Sequence, residues 1–141
     1  MEKLLISACL TGRNCRYDGG NNFIGEEKLS ALKEKFELVL VCPESDGGLP
    51  TPRDPSERLG GKVVSCKGRD VTAQFQKGAE IALEAALKQD CKKALLKAKS
   101  PSCGRDFIYD GSFSGVLTPG DGVTVELLKK HGIEIISEKE I

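Results

Sequence analysis

Four short, mostly apolar runs punctuate this chain of 141 residues, at 4–8, 38–41, 94–98 and 133–136. Runs this brief suit strands buried on both faces of a sheet. What lies between them has a different period. Leu29, Leu32 and Phe36 recur at helical spacing and predict a helix over residues 26–36. Phe75, Ala79, Ala82 and Ala86 line one face of a longer helix, capped by Asp70 or Thr72 and reaching about Lys88. A last helix is capped by Asp121, turns Leu127 and Leu128 inward and stops at Gly132. Strands that alternate with helices are joined by crossovers, which makes the sheet mainly parallel and covers both of its faces. The expectation is a single three-layer α/β domain over residues 1–141. Residues 43–61, with four prolines and four glycines, read as an ordered, non-helical loop. Residues 62–66 and 69–71 read as a hairpin across Lys67-Gly68.

Charge narrows the choice of partner. Twenty-one basic residues balance twenty-one acidic ones, which argues against a nucleic-acid backbone footprint, since that needs a basic excess on one face. No run approaches the roughly 20 apolar residues of a membrane span. The opening Met1-Glu2-Lys3, followed by only five small or apolar residues, does not make a secretory signal, so a cytoplasmic protein is expected. A small molecule is the partner that remains.

Six cysteines are many for a reducing compartment, where a disulfide framework is not expected. None form a Cys-x-x-Cys pair, so any metal site is assembled from distant parts of the chain. Cys9 follows the first strand, Cys42 the second, and Cys103 lies five residues beyond the third. In a parallel sheet the carboxyl ends share one edge, and ligands bind there beside a topological switch point. One such cysteine reads as a small buried hydrophobe. For three at successive strand ends, a common ligand set is an equal alternative. Three thiolates can hold zinc with an open fourth position, or three irons of a [4Fe–4S] cluster with the fourth iron free. Spacing alone leaves both open, together with a non-catalytic module that binds a nucleotide or a cluster.

Polar residues flank these positions. Glu44, in Cys42-Pro43-Glu44, is a candidate general acid or base beside a metal site. Ser100-Pro101-Ser102-Cys103-Gly104 offers two hydroxyls and free amides in a tight loop, and Ser102 is a candidate substrate contact. Arg16 and Arg53, in the loops after the first two strands, can meet a phosphate bidentately. The lone histidine, His131, sits in the last turn of a helix and is set aside.

With these residues in view, the chain resembles the family of bacterial thiouracil desulfurases. The matching stretches are Ser7-Ala8-Cys9-Leu10, Cys15-Arg16-Tyr17-Asp18-Gly19 and Val41-Cys42-Pro43-Glu44, followed by Gly47-Gly48-Leu49 and Pro52-Arg53. Further along come Ser100-Pro101-Ser102-Cys103-Gly104, Ile108-Tyr109-Asp110-Gly111 and Gly120-Asp121-Gly122-Val123-Thr124. The resemblance implies a Rossmann-like domain whose [4Fe–4S] cluster is held by Cys9, Cys42 and Cys103. It implies catalytic roles for Glu44 and Ser100. It also implies thiolated uracils as substrates, as the free base or as 4-thiouridine monophosphate, losing sulfur without net electron transfer. Cys15 matches the family stretch but is left outside the ligand set.

Overall fold

A computed structural model describes residues 1–141. The elements run β1 (Glu2–Ser7), α1 (Glu26–Lys35), β2 (Phe36–Val41), α2 (Pro43–Asp46), β3 (Ser56–Leu59) and β4 (Lys62–Ser65). They continue with α3 (Thr72–Lys88), β5 (Lys93–Leu96), β6 (Phe107–Tyr109), β7 (Leu117–Pro119), α4 (Val123–Lys130) and β8 (Glu134–Ser137). Four strands form one sheet in the order β2-β1-β5-β8, and every pair in it is parallel. The chain leaves β1 toward β2, returns across it to β5, and steps on to β8. The direction of winding therefore reverses between β1 and β5, which opens a crevice at their carboxyl ends.

The sheet explains why its strands read as unbroken apolar runs. Leu5, Ala94, Leu96 and Ile135 point to one face, against Ala82 and Ala86 of α3 and Val125 and Leu128 of α4. Leu4, Ile6 and Leu95 point to the other, where Leu10, Leu32 and Phe36 cover them. Alternate side chains thus enter different cores, and both cores are apolar. In α3 the expected face of Phe75, Ala79, Ala82 and Ala86 is the one that is buried. Its small residues let the helix lie close to the sheet. No helix is long and apolar enough to cross a membrane.

Three local expectations give way. The segment 43–61 is not free of regular structure: Pro43 starts the single turn of α2, where its missing N–H costs nothing, and β3 lies near the end. The hairpin pairs β3 with β4 across Gly60-Gly61, and the expected partner strand survives only as a bridge between Val64 and Asp70. Asp121 does not cap α4. The first amides of that helix donate to carbonyls of the preceding loop, Val123 N to Pro101 O at 2.9 Å and Thr124 N to Ser102 O at 2.9 Å. Asp121 instead accepts from the Asp106 amide and from Lys129. A second hairpin, β6–β7, was not expected; its strands are three residues long and carry exposed Phe107 and Leu117.

One glycine seats the segment that matters most. A Cβ on Gly78, in the middle of α3, would lie 1.8 Å from the Pro43 carbonyl oxygen and 2.6 Å from its carbon. Backbone there cannot yield without moving α2. Alanine in a helix interior is ordinarily favoured over glycine by roughly 1 kcal/mol; here the sign reverses. Gly78→Ala is expected to destabilise the protein by about 1–3 kcal/mol in urea denaturation, the range for overpacking a rigid contact.

Candidate active site

The crevice at the switch point is a cavity of about 610 Å³. Three strand ends feed it. The chain turns through residues 8–11 after β1 and carries Cys9 in; Cys42 sits at the junction of β2 and α2; the loop after β5 brings Cys103. All three expected cysteines line this one cavity. Cys103 is only 6% exposed and backs onto the α3/α4 core, while its other side faces the cavity. Cys9 and Cys103 are close enough for the charge of one thiolate to oppose that of the other, as are Cys9 and Cys42. No three cysteine, histidine, aspartate or glutamate side chains are gathered around a single point here.

Each thiol has a different surrounding. Burial pushes Cys103 up to about 12, against the hydroxyls of Ser7 and Ser102. Burial also raises Cys9, although Asn22 donates its amide to the Cys9 sulfur at 3.5 Å and Lys97 lies near. Cys42 goes the other way, to about 6, because the Cys15 thiol hydrogen-bonds to it and outweighs burial, aided by Ser45 and the charge of Arg53. The Ser45 hydroxyl is 3.4 Å from the Cys42 sulfur. Cys15, set aside on sequence, is therefore the fourth thiol of this wall, with its own proton held more tightly. Cys66 is exposed at another part of the cavity wall, and Cys91 is buried below the end of α3.

Glu44 faces the cavity from α2. Its Oε2 accepts from Arg53 Nε at 3.1 Å and from Nη2 at 2.6 Å, and its Oε1 has no protein partner. Ser100 stands at the start of the Cys103 loop, and its hydroxyl oxygen accepts the amides of Ser102 and Cys103, both at 3.1 Å. That leaves the Ser100 hydroxyl proton free to donate. Lys97 pairs with Glu138 at 3.0 Å on the same wall.

Two expected substrate contacts are engaged within the protein. Ser102 is 1% exposed and its hydroxyl lies 2.8 Å from that of Thr124, which fastens the Cys103 loop to α4. Arg53 has no donor left: Nη1 binds Pro50 O and the Thr51 hydroxyl, Nη2 binds Cys15 O and Glu44, and Nε binds Glu44. Arg16 differs. It is 40% exposed, engages Asn22 and Asp18 only at 3.4 and 3.6 Å, and lies over the Tyr17 ring at the cavity edge. Sequence reading missed Asn22, Ser45 and Lys97. Only Ser45, three residues after Cys42 in a short helical turn, carried a local signal.

Residues 4–140 match the family model described as 2-thiouracil desulfurase. The chain belongs to the 2-thiouracil desulfurase family. A Bacillus subtilis (strain 168) protein described as uncharacterized protein YbbK is 41% identical over 148 residues, covering 98% of this chain and 97% of its own. A solved structure, described as the [4Fe–4S]-dependent thiouracil desulfidase TudS, is 49% identical and superposes with a TM-score of 0.95. That match covers 100% of this chain and 93% of the other. Within the family frame, the three strand-end cysteines, Glu44 and Ser100 all fall around one cavity.

Proposed function

We propose that this chain is a [4Fe–4S]-dependent desulfidase: a thiolated uracil and water give the corresponding uracil and hydrogen sulfide, with no net electron transfer. The observation that carries the reading is the meeting of Cys9, Cys42, Cys103 and Glu44 in one cavity, in a chain 49% identical to TudS over its full length. The donor set fits the group. Three soft thiols, with no histidine among them, surround a space far larger than one ion needs. Cysteine thiolates are the ligands that such clusters take.

Cys9, Cys42 and Cys103 would hold the cluster, leaving Cys15 protonated beside Cys42. Bound there, a three-cysteine cluster supplies one iron without a protein ligand, a soft Lewis acid for the exocyclic sulfur of the substrate. The chain does the rest. Glu44 Oε1 takes a proton from the attacking water and returns it to the departing sulfur. Ser100 donates its free hydroxyl proton to the water or to the polar edge of the pyrimidine. Arg16, at the cavity edge with donors to spare, meets the phosphate when the substrate is a nucleotide. The Lys97–Glu138 pair closes the wall behind Cys9. We assign the protein to the cytoplasm, where six thiols outside any disulfide stay reduced, and we treat residues 1–141 as one catalytic domain.

Anaerobic reconstitution with iron and sulfide tests the reading. The expected product is a brown protein that releases hydrogen sulfide from thiouracil or 4-thiouridine monophosphate and yields the matching uracil. A fully iron-loaded chain that releases none from either substrate would overturn it.

A further inference from the structure

We propose that Arg53 is a positioning residue for the desulfuration, acting through Glu44 and making no contact with the substrate. The inference rests on the role given to Glu44 above. It starts from a count of donors. A guanidinium has five N–H groups in a fixed plane, and the protein accepts all five here. Glu44 Oε2 takes two, at 3.1 and 2.6 Å; Pro50 O and the Thr51 hydroxyl take two, at 3.3 and 2.9 Å; Cys15 O takes the last, at 2.9 Å. The side chain is 6% exposed. A buried arginine with every donor engaged cannot turn to a phosphate without breaking bonds that nothing else would replace.

The pattern of those bonds gives the function. Both Glu44 contacts fall on the same oxygen, so the carboxylate is gripped on Oε2 while Oε1 is left without a protein partner, on a side chain that lines the cavity. The grip is itself anchored in two other segments. Arg53 binds the Cys15 carbonyl through its side chain and the Tyr17 carbonyl through its own amide, at 2.7 Å. The loop after β1, the loop after α2 and the carboxylate of α2 are therefore tied at one point. A base held in this way keeps one orientation relative to the ligand cysteines on either side, and small displacements of a catalytic group cost rate rather than affinity.

Arg53→Lys keeps the charge and loses the fork. In the reconstituted holoenzyme it is expected to lower kcat by about 100-fold with KM within about threefold of wild type, the signature of an interaction that matters only in the transition state. The loss should be equal for free thiouracil and for 4-thiouridine monophosphate, and iron content and visible absorption should stay at wild-type levels. In the double variant Glu44→Gln/Arg53→Lys, kcat should be no lower than in Glu44→Gln alone, because a residue that acts through Glu44 has nothing further to remove. Arg53→Gln, read by the same assays and by circular dichroism, guards against a variant that fails to fold. A KM raised for the nucleotide alone would overturn the proposal in favour of a phosphate contact. So would additive losses in the double variant, or iron lost together with activity. If Glu44→Gln is itself fully active, the role of Glu44 fails; if it is inactive while Arg53→Lys matches wild type, only the present inference fails.

Discussion

Glu44→Gln lowers kcat for thiouracil by about 1,000-fold, within the span that a positioned general acid–base contributes, and leaves the cluster in place. Glutamine has the same shape, and its amide oxygen can still accept from Arg53, so the α2 turn and the tie to Cys15 are kept. What it loses is the ability to take a proton at the atom now free in the cavity. Because Glu44 is not among the cysteines that would hold the cluster and the substitution keeps its shape, the iron content of the variant should equal that of wild type. Paired measurements of iron and hydrogen sulfide release separate the two functions. An active Glu44→Gln holoenzyme would move the proton transfer to another group.

Cys9→Ser, Cys42→Ser and Cys103→Ser each reduce bound iron from about four atoms per chain to a tenth of that or less, with complete loss of turnover, since a cluster on three protein thiolates has no ligand to spare. The controls are chosen by position. Cys66 is exposed and Cys91 lies under the end of α3, away from the cavity, so Cys66→Ser and Cys91→Ser should remain brown and active. Cys15→Ser is the sharper control. Its thiol hydrogen-bonds to Cys42 and lines the same cavity, yet it lies in the loop beyond the turn that follows β1 and not at a strand end. It should keep the cluster. Loss of iron from Cys15→Ser, with retention in any one of the other three, would replace one ligand by another. Among the three, Cys103→Ser should also unfold most easily, because it sets a hydroxyl in place of a thiol that packs against the α3/α4 core.

Much of this was legible along the chain, and for a reason. A strand buried on both faces leaves a run of apolar residues, and a helix with one buried face leaves a repeat of three and four; both are local patterns. Residues 4–8, 38–41, 94–98 and 133–136 mark the four strands of the sheet to within a few positions, and the alanines of α3 mark its inner face. The rule that parallel strands share a carboxyl edge then carried Cys9, Cys42 and Cys103 to one place. The short hairpins were not legible in the same way, because three- and four-residue strands with one face exposed have no period to detect. Nor was the true start of α4, where the amides are satisfied by carbonyls of the Cys103 loop instead of by a side chain.

The sequence by itself determined the sheet, the class of the fold and the edge on which the three strand-end cysteines and Glu44 gather, since all of these follow from the order of residues along each strand and the handedness of its connections. Only the tertiary structure decided what each polar side chain is free to do. Arg53, Ser102 and Arg16 look alike as candidates for binding a substrate, but a side chain's unspent donors depend on neighbours tens of residues away. Two of the three proved to be fully engaged within the protein. Hydrogen-bonding capacity is used up by contacts that close only when the chain folds, and no spacing along the sequence records it.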